Sequence, residues 1–209
     1  MKATILKLTC LGAALGASTL AAGCGEVARS GRAPVQLVID SLEAASGAED
    51  TDFGTFLLSD VETLIEDADG NFIPTIFNDP AQVAMRMVLK DPGVPGVPAA
   101  PSPLNEVTVY RYRVQYVRAD GRNAPGTDVP HPFDGGLTFT IPADGAVTFG
   151  FNLVRHIAKK EAPLQALVDQ GTIISTIAEV TFYGRDQAGN DLSAVGRIQV
   201  EFGNFADPQ

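Results

Sequence analysis

Between residues 137 and 153 apolar side chains recur on every second position: Leu137, Phe139 and Ile141, then Val147, Phe149, Phe151 and Leu153. A strand turns successive side chains to opposite faces, so this alternation buries one face of a sheet and leaves the other wet. Pro142-Ala143-Asp144-Gly145 separates the two runs. An Asp-Gly step supplies the positive φ of a tight turn, so the spacing predicts a hairpin. Near the C-terminus Ala178, Val180 and Phe182 share one face. Leu192, Ala194, Ile198, Val200 and Phe202 share one face of the next run, with Ser193, Arg197, Gln199 and Glu201 opposite. Asp186 to Asp191 is the turn between them. Such a clean split is the mark of antiparallel sheets with one solvated face.

Weaker alternation runs through Val83, Met85, Met87 and Leu89, through Val107 to Arg118, around Leu37 and Ile39, and from Phe53 to Leu58. Asp69-Gly70 and Asp120-Gly121 mark further turns. Ala158 to Gln170 is the one stretch that suits a short helix, beginning near Pro163. Pro92, Pro95, Pro98, Pro101 and Pro103 make residues 92–103 a loop or polyproline-like connector, because proline lacks the amide a ladder needs. Asp186-Gln-Ala-Gly189-Asn190-Asp191, running on to Val200, resembles the penultimate turn and last strand of bacterial immunoglobulin-like domains. That resemblance implies an all-β, antiparallel immunoglobulin-like β-sandwich. Roughly eight or nine strands exceed the about seven of a minimal sandwich, so it is a decorated one, with at most one short helix.

The N-terminus carries a different message. Lys2 and Lys7 precede a mostly apolar run from Ile5 to Leu20 that ends in Leu20-Ala21-Ala22-Gly23-Cys24. The run is interrupted by Lys7 and Thr9 and is too short to span about 30 Å of hydrocarbon, so it reads as a signal segment. The pentapeptide resembles the lipobox of bacterial lipoproteins, which implies cleavage before Cys24 and lipidation of its thiol. Ala21 and Gly23 also suit ordinary signal peptidase. With Cys10 removed in the signal, Cys24 has no disulfide partner, as an acyl acceptor would not. Gly25, where an inner-membrane retention signal has Asp, implies outer-membrane delivery. The expected organisation is a signal at 1–23, a flexible tether at 24–33 and one sandwich domain at 34–207. The tether reaches at most about 30 Å.

Removing Lys2 and Lys7 takes the formal charge from −10 to −12. That excess of acid argues against nucleic acid, whose phosphates need a basic face. Loop carboxylates raise calcium as a cofactor, the ligand candidates being Asp50, Asp52, Asp67, Asp69, Asp186 and Asp191. The plainer reading is that Asp, Asn and Gly favour turns. Asp67-Ala-Asp69-Gly70-Asn71 lacks the glycine and glutamate positions of an EF-hand. Tyr110, Tyr112 and Tyr116 fall on one side of a strand and could form a contact surface; the plainer reading is core packing. His131 and His156 have no patterned carboxylate or cysteine beside them. No G-x-S-x-G, H-E-x-x-H, P-loop or G-x-G-x-x-G is present.

These features predict a non-catalytic lipoprotein of the bacterial envelope, bound to the membrane through a lipid anchor. It would present a binding or scaffolding surface to an envelope protein partner, using the proline-rich loop and the loops at one sandwich end. A calcium-stabilised adhesion or ligand-binding module is the alternative, and an envelope enzyme with scattered catalytic residues a third reading.

Overall fold

Strands form where the alternation predicts them. The computed structural model describes residues 31–48 and 52–205. The lipobox-like pentapeptide with Cys24, and the calcium candidate Asp50, lie outside the described residues. The strands in chain order are β1 (Val35–Ala44), β2 (Phe56–Asp60), β3 (Thr63–Glu66), β4 (Phe72–Thr75), β5 (Asp79–Leu89), β6 (Gly93–Val94) and β7 (Val97–Pro98). They continue with β8 (Val107–Val117), β9 (Phe133–Ile141), β10 (Ala146–Val154), β11 (Ile174–Asp186) and β12 (Asp191–Gly203). Two one-turn helices, α1 (His156–Lys159) and α2 (Leu167–Gln170), lie between β10 and β11. Pro163 stands between them, where its missing amide and fixed φ oppose one continuous helix.

Two sheets carry the molecule. One has the order β1-β5-β10 and the other β2-β12-β11-β8-β9. Their pairings are antiparallel except that β2 runs parallel to β12. The inner faces pack on each other as a sandwich-like all-β body. Phe182 of β11 meets Phe149 and Phe151 of β10 at ring-centroid distances of 5.7 and 5.4 Å. Tyr112 of β8 meets Phe151 at 5.0 Å. Edge-to-face packing suits rings whose faces are negative and edges positive. Val83, Met85, Val114, Val180 and Val200 complete a single buried apolar cluster drawn from both sheets. Gly196 on β12 leaves room for Ile39 and Leu42 of β1, which a Cβ there would crowd.

The expected hairpin at Asp144-Gly145 does not form as a pair. Gly145 takes φ +100°, so the chain does reverse. However, β9 pairs with β8 and β10 pairs with β5, so the turn carries the chain from one sheet to the other. Local residues dictate a reversal; which neighbour each strand then meets depends on burying both apolar faces. By contrast β11 and β12 pair along their length across the Asp186–Asp191 turn, with Gly189 at φ +86°.

Gly135 on β9 exists for a neighbour. A Cβ there would lie well inside van der Waals contact with the Tyr112 ring. Gly135→Ala should therefore destabilise by about 1–3 kcal/mol through overpacking, read as a lower urea midpoint at unchanged slope.

The two ends of the sandwich differ. One end holds the start of β1, residues 90–106, the β9–β10 turn and the β11–β12 turn. The opposite end holds residues 45–55, the β3–β4 hairpin, residues 118–132 and the helical segment 155–173.

Candidate functional site

At the end opposite the start of β1, four segments converge on one carboxylate. Asp79 opens β5 and is fully buried. Lys159, from the last position of α1, places Nζ 2.8 Å from Asp79 Oδ1, and its own side chain is only 1% exposed. Ser59 of β2 donates its hydroxyl to Oδ2 at 2.6 Å, and the Gly47 amide donates to Oδ1 at 3.0 Å. Gly47 must be glycine because a Cβ would collide with Asn78 and Phe77. Burial pushes the Asp79 carboxyl above its ordinary pKa, opposed by the Lys159 charge and by the hydrogen bonds from Lys159, Ser59 and Gly47. Lys159, Ser59 and Gly47 each donate to the one carboxylate. The arrangement is a clip that ties the helical segment and the β1–β2 connection to the sheet.

Sequence pattern pointed to neither partner. Asp79 sits before Pro80 and reads as a turn residue, while Lys159 lies in Ala-Lys-Lys-Glu and reads as solvated. The pairing spans 80 positions, so no local signal could carry it.

A cleft of about 420 Å³ adjoins the clip, lined by Glu62, Ile76, Lys159, Lys160, Gln165 and Asp169 among others. The imidazole of His156 is held by Asn78, whose Oδ1 lies 3.0 Å from Nδ1 and also accepts the His156 amide at 2.7 Å. His131 is exposed in the β8–β9 connection beside Gly126. Arg155 stacks its guanidinium 4.1 Å from the Phe133 ring centroid.

The three tyrosines do not share a face. Tyr112 and Tyr116 are buried in the core. Their hydroxyls donate to the Asn152 and Leu153 carbonyls at 3.2 and 2.7 Å. Burial drives both phenols upward in pKa. Tyr110 points outward and is 42% exposed. The cause is a bulge: the register of β8 slips at this position against both β9 and β11. One extra residue there reverses the facing of everything before it. The shared face expected for Tyr110, Tyr112 and Tyr116 is thus corrected: Tyr112 and Tyr116 follow the core-packing reading, and only Tyr110 is exposed. Tyr110 borders a second cleft of about 410 Å³ with Thr108, Arg185, Asp186 and Gln187.

The calcium candidates are divided between the two ends. Asp67 closes its own hairpin turn, Oδ1 accepting the Asp69 and Asn71 amides at 2.9 and 2.8 Å. Those bonds, the one from Asn71 foremost, hold its carboxyl below the usual range. Asp52 and Asp69 are exposed at this end. At the other end Asp186 takes the Asn190 amide and side chain, both at 2.8 Å, and Asp191 takes Arg185 at 2.8 Å. Among the described residues, no three His, Cys, Asp or Glu side chains are grouped to share a metal ion.

No helix among the described residues is long and apolar enough to cross a membrane. No family model matches the chain, and no curated protein matches it. One solved structure, described as the X-ray structure of Northeast Structural Genomics Consortium target SoR45, is similar to 81% of this chain and 86% of its own, at 9% identity and a TM-score of 0.35.

Proposed function

We propose that this chain is a non-catalytic lipoprotein of the bacterial envelope, an immunoglobulin-like sandwich held at the outer membrane through Cys24 and presenting a binding or scaffolding surface. The observation that carries the reading is Leu20-Ala21-Ala22-Gly23-Cys24 at the end of an apolar segment, followed by polar residues and then by β1 from Val35. Strand order supports the immunoglobulin-like assignment. The order β1-β5-β10 corresponds to strands A-B-E of that fold, and β12-β11-β8-β9 to G-F-C-C′, with β2 an added edge strand beside G.

Several features favour recognition over catalysis. Asp79 is bonded by Lys159 and Ser59 inside the fold, and Asn78 holds His156 at Nδ1. A chain anchored through Cys24 enters the sandwich at the start of β1, so the opposite end faces away from the membrane. There the β3–β4 hairpin exposes Ile65, Phe72 and Ile73, and α1 exposes Ile157. These are the side chains offered to an envelope protein partner.

Cys24→Ser tests the anchor. The variant should move from the membrane fraction to the aqueous fraction, because acyl chains supply most of the affinity for the bilayer. Retention in the membrane at the wild-type level would overturn the reading.

A further inference from the structure

The three most exposed large apolar side chains among the described residues are Val97 (70%), Leu104 (66%) and Val94 (64%). All three lie in one segment, residues 92–104, which carries no charged side chain in a chain of net charge −10. The two-residue strands β6 and β7 pair Val94 with Val97. Gly93 and Gly96, at φ +82° and +90°, make the reversal that projects both valines.

The backbone of this segment is unusually poor in free donors. Pro92, Pro95, Pro98, Pro101 and Pro103 have no amide N–H. Of the remaining amides, Gly93 donates to the Asp91 carboxylate at 2.9 Å, Ala99 to the Pro92 carbonyl at 3.0 Å and Ser102 to Asn105 Oδ1 at 2.8 Å. An unsatisfied amide costs several kcal/mol in a medium without water, so an ordinary loop is excluded from hydrocarbon. Here five prolines and three internal bonds reduce the donor part of that cost. The side chains exposed most fully are Val94, Val97 and Leu104, all apolar.

Location supplies the occupant. The Lys90 amide donates to the Pro34 carbonyl at 2.9 Å, which fixes the base of the segment beside the start of β1. Residues 24–33 enter at that point, and even fully extended they reach only about 30 Å. We infer that segment 92–104 dips its tip into the lipid surface, with Val94, Val97 and Leu104 as its apolar contacts. The inference rests on the anchor at Cys24, which sets this end toward the membrane. Contact through uncharged side chains is insensitive to salt, unlike a headgroup contact made by lysines or arginines.

The test uses the mature full-length chain in phosphatidylethanolamine–phosphatidylglycerol vesicles. A polarity-sensitive fluorophore is placed at Val97→Cys and, for comparison, at Asp69→Cys on the opposite end. Intact mass reports separately whether Cys24 is acylated. The expected result is a blue-shifted emission at position 97, quenched by a nitroxide on the lipid acyl chain and unchanged in high salt, with position 69 remaining water-like. With Cys24 acylated, a water-like probe at 97 overturns the inference. A blue shift that the lipid nitroxide fails to quench also overturns it, since a protein partner or a second copy then covers the tip. If Cys24 carries no acyl group, the anchor reading fails on the mass alone. A Cys24→Ser background then leaves position 97 the single labelled thiol of the mature chain, and its quenching on the same vesicles decides the segment: present upholds insertion, absent overturns it.

Discussion

Lys159→Met is expected to lower the unfolding free energy by about 3–5 kcal/mol at neutral pH, because it strands a buried carboxylate without its counter-charge. Asp79 is wholly out of water and keeps only the Ser59 hydroxyl and the Gly47 amide after the change. The deficit should depend on pH with a definite sign. Burial already raises the Asp79 pKa, and the Lys159 charge is the largest influence opposing that rise. Without it the folded-state value climbs further above the unfolded value of about 3.9. A carboxyl with a raised folded-state pKa favours the fold while protonated. Its contribution is complete below the unfolded value and is lost as pH rises through the folded one. The loss relative to wild type should therefore be smaller near pH 4 than at pH 7. Denaturant unfolding at the two pH values measures it, and an equal loss at both would show that Asp79 does not carry the charge. The double variant Asp79→Leu/Lys159→Met should recover part of the stability, since two apolar side chains replace a pair whose desolvation offsets its attraction, while the Ser59 hydroxyl and the Gly47 amide lose their acceptor.

Tyr112→Ala should cost about 3–5 kcal/mol, while Tyr110→Ala, two positions away, should stay within about 0.5 kcal/mol. Tyr112 sits in the aromatic cluster, with ring centroids 6.1 Å from Phe133, 5.0 Å from Phe151 and 6.4 Å from Phe182. Removing it empties a ring-sized volume between the sheets and frees the Asn152 carbonyl. Tyr110 is outside, at the rim of the cleft with Arg185 and Gln187. Thermal melts of the two variants separate the facing produced by the bulge from uninterrupted alternation. Similar large losses at both positions would mean that the strand keeps one face throughout.

Much of the sheet was readable from period and turn chemistry. Ala178, Val180 and Phe182 do face the core, as do Leu192, Ile198, Val200 and Phe202. The turn at Asp186–Asp191 joins paired strands as its Gly and Asn predict. Alternation fails where a single residue is inserted, as at Tyr110, because a pattern of apolar and polar residues does not register a bulge whose extra residue is itself aromatic. The candidate site was less readable. The turn-forming carboxylates stood out in sequence, yet Asp67 and Asp186 spend their oxygens on their own turns. The carboxylate that matters to the architecture, Asp79, was masked by looking like another turn residue.

By itself the sequence determined an all-β chain and the positions of most strands. Each of these is a local property, written in the spacing of side chains along a few residues. The tertiary structure alone decided that β9 and β10 part into different sheets and that Asp79 and Lys159 meet in the dark. It also set residues 92–104 beside the start of β1. These depend on contacts between segments tens of residues apart, which form only when both sheets bury their apolar faces together.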